Sequence, residues 1–136
     1  MLKLTKQVEI DINQEGEKAF PNECCGILMG RDDEISAILP IINAWEHEEQ
    51  YHRFSIEPQY MLKAEREAHV RGLDVLGFYH SHPNTEAVPS EYDREHALPF
   101  YVYLIVSVKG NKAEKLTAWN LSLDRTVFLQ TEYETI

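Results

Sequence analysis

Within residues 76–93 the chain reads L-G-F-Y-H-S-H-P-N-T-E-A-V-P-S-E-Y-D, and His80, His82 and Asp93 are side chains of types that bind transition metals. A strand sends alternate side chains to opposite faces, so His80 and His82 point the same way, alongside Leu76 and Phe78. Two imidazoles held like this can close on one ion. Pro83 has no amide hydrogen to give a neighbouring strand, so it ends the run and leaves both rings at the carboxyl end, where a sheet opens towards solvent. The loop 84–89 lets the chain turn back and carry Asp93 to the same point. Two ring nitrogens, one carboxylate and a fourth position for water make the ligand set of a catalytic zinc site.

Each part also has a plain structural reading. Two histidines on a strand are more often surface or hydrogen-bonded residues than ligands. Ser90-Glu91-Tyr92-Asp93 fits the S-x-x-D capping box, in which Ser90 caps a helix and Asp93 answers at its third position. That helix is expected on either reading. The metal site is favoured by the combination in one eighteen-residue window, behind an apolar strand, with Gly77 permitting close approach from the other side. A metal of this kind brings the pKa of its water to about 7, and a carboxylate outside the ligand set must then move the proton to the leaving amine. Among the acidic residues, Glu23 sits beside a buried strand start, where partial desolvation raises a carboxyl pKa. Composition alone does not select it.

The string G-F-Y-H-S-H-P, followed at the right spacing by Ser90 and Asp93, resembles the H-x-H-x7-S-x-x-D signature of the JAMM/MPN-plus metallopeptidases. Pro21-Asn22-Glu23-Cys24-Cys25-Gly26, ahead of an apolar strand, is similar to that family's P-x-E-x-C-G segment. Both motifs match without a missing residue, and the likeness covers nearly the whole chain. It implies zinc as cofactor on His80, His82 and Asp93, with Glu23 as proton carrier. For Ser90, cap or donor to the oxyanion of a tetrahedral intermediate, the resemblance favours the second. It also implies an α/β fold, a single domain over 1–136 with a mixed central β-sheet flanked by helices, of the JAMM/cytidine-deaminase-like type.

The short length resembles the bacterial Mec-type members, which trim the C-termini of ubiquitin-like sulfur-carrier proteins. The expected substrate and partner is therefore such a carrier, with cysteine or a short tail released after its diglycine. Enzymes of this kind hold a substrate tail extended along a sheet edge. Tyr51, Phe54, Ser55 and Ile56, with the loop 84–88, are expected to wall that groove. The chain has no room for large insertions that grip a second ubiquitin, which disfavours deubiquitination. Two other readings stand beside this one: a non-catalytic scaffold of the MPN fold, and a zinc peptidase of small cysteine-containing or cell-wall peptides. A zinc deaminase would need a P-C-x-x-C ligand pair, which the sequence lacks.

At 136 residues the chain is expected to form one domain with a sizeable core. Apolar content of 43% and charged content of 26% are ordinary for a soluble protein. The first twelve residues alternate charged and apolar side chains with no continuous apolar run, so no secretory signal is expected. The longest apolar run, 100–106, is too short to span a bilayer, and a cytoplasmic location is expected. A net charge of −10 argues against nucleic acid or an anionic membrane as partner. The oligomeric state is open, a dimer being one option. Cys24 and Cys25 are adjacent, so a disulfide between them is geometrically implausible, and alternation places one of them in the core. A nucleophilic Cys24 has no recognisable partner signature.

A first helix is expected over 5–20, loosely patterned and weakened by Gly16, then a strand from Cys25 and a second over 35–42, where Pro40 marks an edge or a break. The stretch His47-Glu-Glu-Gln-Tyr-His52 imitates H-E-x-x-H, but Tyr51 stands where the second histidine is needed. Pro58 suits the first turn of a helix over 60–71, with Met61, Ala64, Ala68 and Leu62 as its buried side and Gly72 as its stop. A capped helix over 90–98 follows the histidine strand, and His69 and His96 read as helix-surface residues. Strands are expected over 101–108, 116–121 and 126–133, the last at an edge. Strands and helices in this order give an α/β pattern with a mixed sheet.

Overall fold

The computed structural model describes residues 1–45, 50 and 55–136. Along the chain run β1 (Leu2–Leu4), α1 (Lys6–Ala19), β2 (Cys25–Arg31), β3 (Glu34–Ile41), α2 (Pro58–Val70), β4 (Asp74–Pro83), α3 (Glu91–His96), β5 (Val102–Lys109), β6 (Lys112–Leu121), β7 (Phe128–Thr131) and β8 (Tyr133–Thr135). The strands form one sheet in the order β7-β6-β5-β4-β2-β3-β1-β8. β4 runs parallel to β5, and β1 parallel to both β3 and β8, while the other pairs are antiparallel. The sheet is therefore mixed, with helices on its faces, as the pattern implied.

The Thr5 hydroxyl caps α1 by accepting from the Val8 amide, and Val8, Ile12 and Gly16 lie one above the other on its buried side. Gly16 is not the weak point its type suggested. A Cβ there would stand 3.0 Å from Val108 Cγ2 and 3.2 Å from Val106 Cγ1, so the missing side chain is what lets α1 lie against β5. Leu4, Leu28, Tyr79, Leu104 and Val106 complete the core on this face. On the opposite face α2 sets Ala64 and Ala68 against Ile27 and Met29. Leu62 points away, 52% exposed, and does not belong to that buried side.

Three expectations are corrected. Leu76 does not share a face with Phe78 and His80. Leu28 pairs with Gly77 but Met29 with Val75, so Leu76 is the extra residue of a β-bulge and packs into the core with Tyr79. Both cysteines are buried rather than one, at 8% and 1% exposure. The single last strand is two, because Glu132 separates β7 from β8 and these occupy opposite ends of the sheet. The Tyr133 hydroxyl donates to the Leu116 carbonyl on β6 at 3.0 Å, so the sheet curls around α1 until its rims meet. β1 and β8, three residues each, carry no readable periodicity.

Candidate metal centre

β4 lies between β2 and β5, with His80 paired to Cys25 on one side and Ile105 on the other. Gly77 permits this, since a Cβ there would fall 1.8 Å from the Val102 carbonyl oxygen. Alternation past the bulge then puts Phe78, His80 and His82 on one face, and both imidazoles are buried. The ring nitrogens His80 Nε2 and His82 Nε2 stand 3.1 Å apart. Asp93 Oδ2 lies 3.3 Å from the first and 3.2 Å from the second, its side chain only 7% exposed.

Asp93 arrives there because α3 starts as the spacing predicted. The Ser90 hydroxyl accepts from the Asp93 amide at 3.1 Å and Asp93 Oδ2 accepts from the Ser90 amide at 2.8 Å, a complete capping box. The cap of α3 and the carboxylate that faces the two imidazoles are therefore one side chain. His82 is oriented from behind. The Glu86 carbonyl can only accept, so His82 Nδ1 donates to it at 2.9 Å, and in the neutral ring Nε2 is left with its lone pair towards His80 and Asp93.

Burial pushes the Asp93 carboxyl up, but the charge and hydrogen bonds of His80 and His82 outweigh this and hold it well below the usual carboxylate range. Burial pulls His82 down, but Asp93 and the Glu86 carbonyl raise it above the ordinary imidazole value. The chain thus favours positive charge where these acceptor atoms converge. Four ligands placed tetrahedrally about 2.0–2.1 Å from a zinc ion stand about 3.3 Å apart. The observed separations of 3.1, 3.2 and 3.3 Å match that triangle, and the donor set suits such a metal.

Glu23 reaches the same place from just ahead of β2. Its pairing is non-local: the register that opposes Cys25 to His80, continued two residues, sets Glu23 beside His82. The side chain is buried at 6% exposure, and it brings a carboxylate oxygen within 4.8 Å of a ring nitrogen of each histidine. The Cys24 thiol, buried behind it, is pushed up to about 12 by desolvation, and Cys25 is raised too, so neither supplies a thiolate.

Beside His80 and Asp93 opens a cavity of about 330 Å³, walled by Ser55, Ile56, Phe78, Tyr92, His96 and Tyr101 among others. Ser55 and Ile56 were expected at a groove. Tyr51 and Phe54, like His47 and His52, lie outside the described residues. The loop 84–88 takes a different place: Glu86, Ala87 and Val88 face a separate cavity with Lys115 and Trp119, and its link to the metal centre is the Glu86 carbonyl. The aromatic wall went unread in the sequence. His96 is exposed, as expected, yet it stacks on Tyr92 at a 4.1 Å centroid distance and borders the cavity. The i, i+4 spacing of Tyr92 and His96 was the available signal.

A family model described as "Prokaryotic homologs of the JAB domain" matches residues 5–122. A Haloferax volcanii protein named "Desampylase" is 39% identical over 93 residues, covering 66% of this chain and 66% of its own. A Thermus thermophilus protein named "Probable TtuB-protein conjugate cleaving protease" is 32% identical over 93 residues, covering 68% of this chain and 61% of its own. The chain thus spans slightly under two thirds of each relative. Among solved structures, a Desulfitobacterium hafniense protein superposes with a TM-score of 0.86 at 29% identity, over 100% of this chain and 93% of that one. A JAB1/MPN domain protein from Archaeoglobus fulgidus shares the fold, with a TM-score of 0.65 at 20% identity over 100% and 97% of the two chains. No helix among the described residues is long and apolar enough to cross a membrane.

Proposed function

The chain belongs to the family of prokaryotic homologs of the JAB domain, and on that premise we propose that it is a zinc-dependent peptidase or isopeptidase cleaving an amide bond at the C-terminus of a ubiquitin-like sulfur-carrier protein. The observation that carries this reading is the triangle of His80 Nε2, His82 Nε2 and Asp93 Oδ2, with the buried Glu23 carboxylate beside it.

His80, His82 and Asp93 would hold the metal, and the Glu86 carbonyl keeps the His82 ring in the tautomer that presents Nε2. Bound there, zinc supplies a Lewis acid and a water made nucleophilic at neutral pH. Glu23 takes the proton of the attacking water on a carboxylate oxygen and returns it to the nitrogen of the departing amine, a role worth about 10²–10⁴ in rate. Ser90 accepts from the Asp93 amide and so keeps its own hydroxyl hydrogen, which it donates to the oxygen of the carbonyl under attack. The substrate tail lies extended past Ser55 and Ile56, along the wall of the cavity beside His80 and Asp93.

The names of the two relatives, one a desampylase and one a conjugate-cleaving protease, support a ubiquitin-like substrate. The narrower assignment is a carrier whose diglycine end bears cysteine or a short tail. Purified chain should contain about one zinc per molecule by elemental analysis. Carriers extended past their diglycine should be cut after it, as read by mass, and chelation should abolish the cut. Glu23→Gln should keep its zinc and turn over about 10²–10⁴ times more slowly. Equal cleavage by a metal-free chain would end this reading.

A further inference from the structure

We infer that Ser81, the residue between the two histidines, is a positioning residue that sets the Glu23 carboxylate relative to the metal centre. The inference rests on the reading of the site given above. Ser81 is fully buried and faces α1, with its Cβ 3.5 Å from where a Cβ on Gly16 would stand, so its side chain points away from the face that carries His80 and His82. It therefore touches neither substrate nor metal.

The β2–β4 ladder ends at the pair Cys25 and His80. One step further, an antiparallel ladder would have Cys24 and Ser81 exchange two backbone hydrogen bonds. Only one of the two runs between backbones: the Ser81 amide donates to the Cys24 carbonyl at 3.2 Å. The return bond is diverted, because the Cys24 amide donates to the Ser81 hydroxyl at 2.8 Å. β2 is thus held to β4 one residue beyond its regular pairing by one backbone bond and one bond to a side chain, and Glu23 is the next residue.

Further anchors of Glu23 come from outside the sheet, its amide donating to the Gln50 carbonyl at 2.6 Å and its carbonyl accepting from Asn43 Nδ2 at 3.1 Å. Ser81, through its amide and its hydroxyl, accordingly ties this corner to the strand that bears the histidines. A proton carrier displaced by about 1 Å can cost two orders of magnitude in rate, while ligands fixed by β4, α3 and Glu86 do not depend on that hydroxyl.

The experiment compares wild type, Ser81→Ala and the near-isosteric Ser81→Cys, whose sulfur accepts hydrogen bonds only weakly. The assay is cleavage of a carrier extended past its diglycine, beside zinc affinity by chelator competition and amide hydrogen exchange at Cys24. The expected result is a fall in kcat of about tenfold or more in both variants, with KM and zinc affinity within about threefold of wild type and faster exchange at the Cys24 amide. The cysteine variant keeps the side-chain volume and so reports even where the alanine variant fails to fold. Undiminished kcat in a variant whose Cys24 amide has lost protection overturns the inference alone, and so does a kcat loss that tracks zinc loss. A zinc-loaded wild type that cleaves no carrier overturns the proposed function, and this inference with it.

Discussion

Asp93 Oδ2 and His82 Nε2 sit 3.2 Å apart with opposite displacements in pKa, and the pair makes the metal-free chain sensitive to pH. His82 is raised, so its contribution to stability is fully present below its unfolded value of about 6.5 and is lost as pH rises through the folded value. Asp93 is depressed, so its contribution is present above about 3.9 and is lost only as pH falls through its low folded value. Between pH 6 and 9 the His82 contribution is therefore the one that changes, and it declines. On the proposed function, metal binding would run the other way, because the ring must lose its proton to ligate and affinity grows with pH. The gap in melting temperature between zinc-loaded and chelated protein should widen steadily from pH 6 to 8 by calorimetry. A gap that stays constant would show that His82 does not exchange a proton for the ion.

At the scale of elements, the close contact of β4 with β5 at Gly77 is the support of the whole centre. Gly77→Ala would drive a methyl into the Val102 backbone, which cannot move without breaking the parallel pairing that carries Ile105 to His80. A loss of about 3 kcal/mol, roughly 10 °C in melting temperature, is expected, with weakened zinc retention. An unchanged melting curve would contradict the packing described. This element also shows what the sequence could reveal. His80, His82, Ser90 and Asp93 lie on one strand, one loop and one helix cap, so their spacing in the chain already is their geometry. Glu23 sits 59 residues from His82 and depends on strand register, so its pairing was not legible and only the family likeness selected it. The aromatic cavity draws on α2, β4, α3 and β5 together, and no local pattern announces such a wall.

For the whole molecule, β8 closes the sheet upon itself. It pairs with β1, the Lys6 amide donates to the Ile136 carbonyl, and Thr135 Oγ1 donates to Glu9. These contacts join residues more than a hundred positions apart, a closure whose chain entropy makes it a late event in folding. Removing residues 133–136 should speed unfolding about tenfold while leaving the folding rate nearly unchanged in stopped-flow measurements. Folding slowed to a similar extent would place this closure in the nucleus instead. The bulge at Leu76 and the strands of three residues escaped the sequence for a shared reason: a single inserted residue, or three in a row, is too short to establish a period.

One oxygen of Asp93 both caps α3 and faces two imidazoles, and α3 buries no apolar side chain of its own. If the proposed ion binds there, removing it would free an inner tether of the helix that also carries Tyr92 and His96, two walls of the cavity beside His80 and Asp93. On the proposed function, the bait for fishing clients out of a cell extract would accordingly be the zinc-loaded Glu23→Gln chain rather than a protein bathed in chelator.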